Sequence, residues 1–462
     1  MSTYLHGVEV VEAAEGARPI ALSDATFIGI VGTSLDGPFN EPATTRGASE
    51  AAEKWGADGT IAEAIAAIHS QGRAPRVAAV NALDPDTHVT AVVDEVTAWG
   101  ADGAVIQLDH SRISAVSVKQ KDGTAVDAAD YEVDAAAGTL TVADGASFAT
   151  AAADAAKVSY SYLDVSKVDA SAIAAVAPKL CEASEPSGRT PGILIAPGWT
   201  ELVGRSGSSV VESAAVTSAL AVVADRCRAI VIADSPGTTL ADALAYRATQ
   251  GSRRVYVVDP KVKVPATGGG TRNAPASGYV AGLVARIDAE VGWWASPSNR
   301  ELRGISGTSR FVSFGLGEAD SEANALNASQ VATIIRATGW RLWGNRTCSA
   351  DPAWQFLSVV RTADRINEAI LRSHLWAVDR NITATYVSDV VESVNAFLRD
   401  LVAQGAILGG RCWADPDLNS SANIRDGRLY LDFDFTPASP AERITFRSRL
   451  VDDYAETIFE EG

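Results

Sequence analysis

The residues best placed for chemistry stand at the ends of three apolar runs. GILIAPG ends in Pro197-Gly198, AIVIADS in Asp234-Ser235, and RRVYVVD in Asp259-Pro260. Open parallel sheets bind ligands at the carboxyl ends of their strands, so these dipeptides would line a cleft holding two carboxylates. Catalysis there would also need a nucleophile with a base in reach. The five histidines, His6, His69, His88, His110 and His374, form no H-x-x-x-H pair or acid–base cluster. There is no G-x-S-x-G elbow and no phosphate-binding G-x-x-x-x-G-K-[ST] loop, and Gly29, Gly32 and Gly37 miss the dinucleotide spacing. Asp234 and Asp259 are therefore assigned to strand ends and turn capping. No catalytic, cofactor-binding or metal-binding residues are predicted.

Cys181, Cys227, Cys348 and Cys412 are too far apart in sequence for a zinc ribbon or redox pair. They are expected to be buried free thiols, as suits a reducing compartment. Trp293 and Trp294 could stack on a ligand but are assigned to core or subunit packing. His374 is read as capping a helix end.

The elements that would hold these residues follow from periodicity. Thr26–Gly32 is a strand, a helix starts near Thr60, and RVAAV at Arg76–Val80 closes a first β-α-β unit. Asn81–Trp99 reads as a loop containing Asp84-Pro85, with room for a short helix. From Asp109 to Asp164 short alternating strands are punctuated by Asp122-Gly123, Ala137-Gly138 and Asp144-Gly145. That is a small all-β module with a core of Val116, Val118, Tyr131, Val133, Leu140, Val142, Val158 and Tyr160. Lys167–Ala177 is a connector. From Thr190 apolar strands alternate with helices over Ser213–Arg226 and Leu240–Thr249, the pattern of a parallel sheet covered on both faces. A further helix begins near Ser277.

The chain has 462 residues, 47% hydrophobic and 21% charged, enough to build two to four globular domains. Its net charge of −18 disfavours nucleic acid and anionic lipid surfaces. No apolar run approaches the roughly 18 residues of a membrane span, and the amino terminus lacks the pattern of a signal peptide, so no membrane insertion or export is expected.

After residue 340 the chain reads as a compact α+β unit. Asp351-Pro352 opens a helix carrying Phe356, Val360, Ala363, Ile366 and Ile370. Val387, Val391, Val394, Leu398 and Leu401 write a second, stopped at Gly405. Leu429, Leu431, Phe433 and Phe435 then alternate with Tyr430, Asp432 and Asp434 as a strand, preceded by the hairpin signal Asp426-Gly427. RITFRSRLV, detached by Pro437 and Pro440, is a last strand-like run that could pair inside the chain or outside it. Thr3–Glu12 is a similar run at the amino end, free to dock on its own domain or on another subunit.

WGNRT (Trp343–Thr347), HLWAVDRNITATYV (His374–Val387), LYLDFDFTP (Leu429–Pro437) and ITFRSRL (Ile444–Leu450) occur in this order. The chain thereby resembles the tail sheath proteins of contractile-tailed bacteriophages, in the branch of temperate myophages and R-type pyocins. His6–Ile20 is similar to the opening of that family, and the resemblance covers about residues 1–80 and 190–459.

The resemblance implies an α/β and α+β multidomain fold, a sheath core with an inserted small all-β domain and extended terminal strand arms. Its divisions would be an amino-terminal arm (1–20), an α/β middle domain (21–83 and 176–339), an outer β insertion (84–175), an inner α+β domain (340–440) and a carboxy-terminal arm (441–462). It implies a non-enzymatic subunit that polymerises in hexameric rings around a tail tube and contracts, needing no cofactor. Expected partners are further copies of itself, the tube protein, and baseplate and tail terminator proteins, in a particle assembled in the host cytoplasm. Strand exchange through Tyr4, Leu5, Val8, Val10, Ile444, Phe446 and Leu450 would link subunits. Asp389, Glu392, Arg399 and Asp400, on the second helix of the inner domain, are the candidate tube contacts. The alternative is a soluble α/β hydrolase-like enzyme without a recognisable site.

Overall fold

The computed structural model describes residue 20 and residues 26–99, 105–146, 155–183, 189–203, 205–206, 209–210, 214–266 and 268–451. Its centre is a nine-stranded sheet. Six strands run parallel in the order Val331–Ala337, Val255–Asp259, Ile230–Asp234, Ile193–Ile195, Phe27–Gly32 and Arg76–Asn81. Pro42–Arg46 borders one side antiparallel, and Gly339–Trp343 followed by Arg300–Glu301 the other. The parallel strands are apolar on both faces because helices cover both.

One covering helix, Ser277–Glu290, is buried along most of its length. It lies so close to the Thr60–His69 helix that a Cβ at Gly282 would sit 2.4 Å from the Ile68 carbonyl oxygen, which explains a glycine in mid-helix. On the opposite face Ala170–Val176 packs on Ala215–Cys227 through Ile173, Val176 and Leu220. The segment assigned as a connector thus contains a core helix; its run of alanines is apolar nearly all round, so no period marks the buried face.

The inserted module consists of two three-stranded sheets. Val89–Ala98, Ala155–Leu163 and Ile113–Lys119 form one, and Val105–Gln107, Thr139–Val142 and Tyr131–Asp134 the other. Asn81–Trp99 is therefore mainly a strand, whose alternation is interrupted by a bulge between Val92 and Glu95. Val118, Tyr131, Leu140, Val158 and Tyr160 are buried together, and Val116 and Val142 pack against them. Val133 instead faces solvent, while Trp99, Ile106, Leu108 and Ile113 complete the core.

In the carboxy-terminal third, Asp351 caps only a short turn at Pro352–Trp354, and the long helix begins later, at Leu357, and ends at Ser373. Trp340–Trp343, grouped by sequence with this unit, pair in the central sheet. The second helix, Ala384–Ala403, ends at Gly405 with φ of 76°. Ile407–Ala414 and Leu431–Pro437 then form a two-stranded antiparallel sheet, with Phe433 and Phe435 turned to the helices. Asp426-Gly427 closes the short Ser421–Arg425 helix and makes no two-residue hairpin; Leu429 and Tyr430 precede the strand. Among the described residues no helix is long and apolar enough to cross a membrane.

Candidate assembly surface

The strand-end carboxylates have structural partners. Asp234 is buried and accepts hydrogen bonds from the Ser277 backbone N–H at 2.8 Å and its hydroxyl at 2.5 Å, so it caps the central helix. Loss of hydration pushes its pKa up to about 7. Asp259, also buried, accepts from Ser235 Oγ and pairs with Arg310, whose guanidinium also holds Glu322. Both residues thus fix neighbouring loops, as their assignment to strand ends and capping expects. Trp293 is buried edge-to-face against Trp294, 5.0 Å between centroids, among Ile366, Phe397 and Leu401. His374 Nδ1 donates to the Ile370 carbonyl at 2.7 Å, closing the long helix.

The cysteine assignment needs a correction. Cys181 and Cys227 are joined in a disulfide, their Cα atoms 6.1 Å apart. The turn ending at Cys181 packs on the helix ending at Cys227, a proximity that a separation of 46 residues hides. Cys348 and Cys412 are free and buried, and burial pushes the Cys348 thiol up to about 12.

Two ion pairs fasten the long helix, one to the covering helix Ser277–Glu290 and one to the central sheet. Arg361 reaches Asp288 at 2.5 and 2.8 Å, and Asp288 also accepts from Thr26 Oγ1 at 2.5 Å. Asp364 pairs at 2.5 Å with Arg254, the residue just before strand Val255–Asp259. These pairs join residues far apart in sequence, and charge patterning gave no signal for them.

The other end of this unit is open. In the two-stranded sheet each strand has one edge without a strand partner among the described residues. Leaving that sheet, the chain is held by a two-pronged Arg346–Glu442 contact, with Nε to Oε1 at 2.8 Å and Nη2 to Oε2 at 2.5 Å. Beyond it residues 443–451 have no regular structure; Ile444 is exposed, Phe446 is 92% exposed and Leu450 99%. Tyr4, Leu5, Val8 and Val10 lie outside the described residues. Asp389, Glu392, Arg399 and Asp400 are all exposed on the Ala384–Ala403 helix, Glu392 and Arg399 bridging at 2.5 Å.

A model of the phage tail sheath protein central domain matches residues 188–348, and one of the phage tail sheath C-terminal domain matches 349–450. Residues 79–178, the inserted module with its flanks, match a family of proteins of unknown function. A putative prophage major tail sheath protein of Pseudomonas aeruginosa is 45% identical over 58% of this chain and 67% of its own. The tail sheath protein of Burkholderia phage BcepMu is 33% identical over 99% of both. The helical sheath of the anti-feeding prophage in its contracted state shares the fold at a TM-score of 0.60, covering 97% of this chain and 99% of that one at 17% identity. With its order of motifs, its central sheet and its open carboxy-terminal unit, the chain belongs to the phage tail sheath protein family.

Proposed function

We propose that this chain is the polymerising subunit of a contractile tail sheath. Stacked hexameric rings would surround a tail tube on a baseplate, closed by a terminator, and contraction would drive the tube through a host envelope. The observation that carries this reading is the open edge of the two-stranded sheet beside an extended arm with exposed apolar side chains. Edge strands and unpaired extended segments complete one another across chains. Tyr4, Leu5, Val8, Val10, Ile444, Phe446 and Leu450 are the linking residues in this reading. Assembly belongs in the host cytoplasm and the product in the virion tail or a tail-like particle. No catalysis or cofactor enters: the energy resides in contacts between subunits whose rigid bodies move while the arms stay joined. The inserted module faces outward, and Asp389, Glu392, Arg399 and Asp400 face the tube.

The decisive experiment compares full chain with a deletion of Ser2–Glu12 by electron microscopy and thermal melting. The full chain is expected to form long striated tubes and the deletion a folded, soluble subunit that forms none. Tubes from the deletion would overturn strand exchange at the amino end. Charge reversal at the four helix positions, assayed in parallel, is expected to lose bound tube while sheaths still form.

A further inference from the structure

Two exposed apolar features lie at opposite ends of one buried strand. The first is the loop 309–318. Arg310 fastens it through its pairs with Asp259 and Glu322, Ser313 Oγ accepts from the Glu322 N–H at 2.9 Å, and Phe314 lies edge-to-face on Trp343 at 5.0 Å. From this fixed base Phe311 is 83% exposed and Leu316 85%. The Glu318 carboxylate folds back so closely that a Cβ at Gly315 would fall 2.2 Å from its Cδ. Glu318 and Asp320 make the rim of the loop acidic. A monomer gains nothing from holding two large apolar side chains rigidly in water.

The second feature is the end of the Leu357–Ser373 helix and the turn after it, where Leu371, Leu375 and Val378 are exposed, Leu375 by 79%. Its rim carries Arg380, whose guanidinium lies 5.1 Å from the Trp376 ring centroid, and Arg372 and His374, with Asp379 beside them. Arg372 is also tied to Glu368 at 3.2 Å.

The two features are related through strand Val255–Asp259. The loop is fastened at its last residue, Asp259, and the helix through Arg254 just ahead of its first. Five residue steps along the strand separate these anchors by about 16 Å, so the features sit toward opposite ends of the sheet's strands. We propose that the Phe311–Leu316 loop of one copy docks on the Leu371–Leu375–Val378 patch of the next. An acidic rim then meets a mainly basic one, whereas loop on loop would oppose like charges. Joining two different surfaces of the same chain is a heterologous contact, which generates rings or helical stacks in place of closed dimers.

This contact rests on the polymerisation proposed above, and the experiment separates the two. Full-length Phe311→Cys chains are mixed with Leu375→Cys chains, allowed to form tubes, and treated with a short bismaleimide; Cys348 and Cys412 are buried and do not compete. The expected product is a dimer joining one variant to the other, absent when either is used alone. Phe311→Asp is expected to raise the critical concentration for tube formation at least tenfold at an unchanged melting temperature, with Phe311→Leu restoring it. Tubes without the cross-link, links between like variants, or a link to a co-purified tube protein would overturn the contact while leaving polymerisation intact. A wild-type chain that forms no tubes would overturn both.

Discussion

The central sheet and the carboxy-terminal arm treat unsatisfied groups in opposite ways. Around the sheet, buried charges have partners inside the chain: Asp288 with Arg361, Asp364 with Arg254, Asp259 with Arg310, and Asp234 with Ser277. In the two-stranded sheet beside the arm strand edges are open, and in the arm Ile444, Phe446 and Leu450 remain in water. Burying such a side chain is worth roughly 1.5–3 kcal/mol. The arm withholds several kcal/mol from the fold, available for a contact with another chain. In the proposed reading, stability and assembly are written in separate stretches, which would let a subunit stay folded while its neighbours move.

The division is tested hardest by cutting one buried ion and, separately, the arm. Arg361→Ala leaves Asp288 buried without its cation, a change that costs about 3–5 kcal/mol. Truncation after Pro440 removes only the Arg346–Glu442 pair, about a third exposed on each side, from the described contacts of the arm, about 1 kcal/mol or less, yet should abolish tubes. Denaturant midpoints of the two variants measure the difference. A truncation as costly as Arg361→Ala would mean that the arm belongs to the fold of its own subunit.

A smaller effect comes from pH. The folded-state pKa of Asp234 lies near 7, above its ordinary value of 3.8, so between these values the folded chain holds a proton that the unfolded chain releases. Stability should therefore fall as pH rises from about 4 through 7, by about 4 kcal/mol at most. Asp364, pushed up to about 6 by burial, acts in the same direction. Asp234→Asn can keep both Ser277 contacts and should flatten the slope, measured as denaturation midpoints at pH 5 and 7.5. Among the described residues the arm contributes no buried carboxylate, so truncation should leave the slope unchanged. An equally steep slope in Asp234→Asn would remove Asp234 as its source.

The sheet was legible because each parallel strand is a short apolar run bounded by turn residues, as in GILIAPG and RRVYVVD. The detachment of the run after Pro440 was legible too, since Pro437 and Pro440 separate it from the preceding strand, but its strand-like alternation was not realised, for residues 443–451 have no regular structure. What stayed hidden depends on distance along the chain. The Cys181–Cys227 bond and the Arg361–Asp288 and Arg254–Asp364 pairs exist only once the sheet has brought remote segments together. Val89–Ala98 was missed for a local reason: its bulge, with Asp94 at φ 52°, breaks the two-residue period by which strands are read.

The smallest expected effect concerns the inserted module, which is like the sheet in having its own core and is expected, like the arm, to be separable. Its first and last strands meet at the neck, where Val89 is the register partner of Leu163 and the Asp164 N–H donates to the His88 carbonyl at 2.9 Å. Excising Asp109–Asp164, the span that alternation marks, would strand Val89–Ala98 without Ala155–Leu163 and expose its apolar side chains. Excising Val89–Leu163 and joining His88 to Asp164 through Gly-Ser removes whole strands together with their partners. It also keeps Ile173 and Val176, which the central core needs. The described ion pair lost from the body is Arg112–Asp36, about a third exposed on each side and worth less than about 1 kcal/mol. The excised chain should melt within a few degrees of the full chain and form tubes of the same helical repeat but smaller outer diameter, since polar necks share little core with their host. Tubes of unchanged diameter would place the module away from the outer surface. Failure of a folded, excised chain to polymerise would make the module part of the linkage between subunits and join it to the arm as an assembly element.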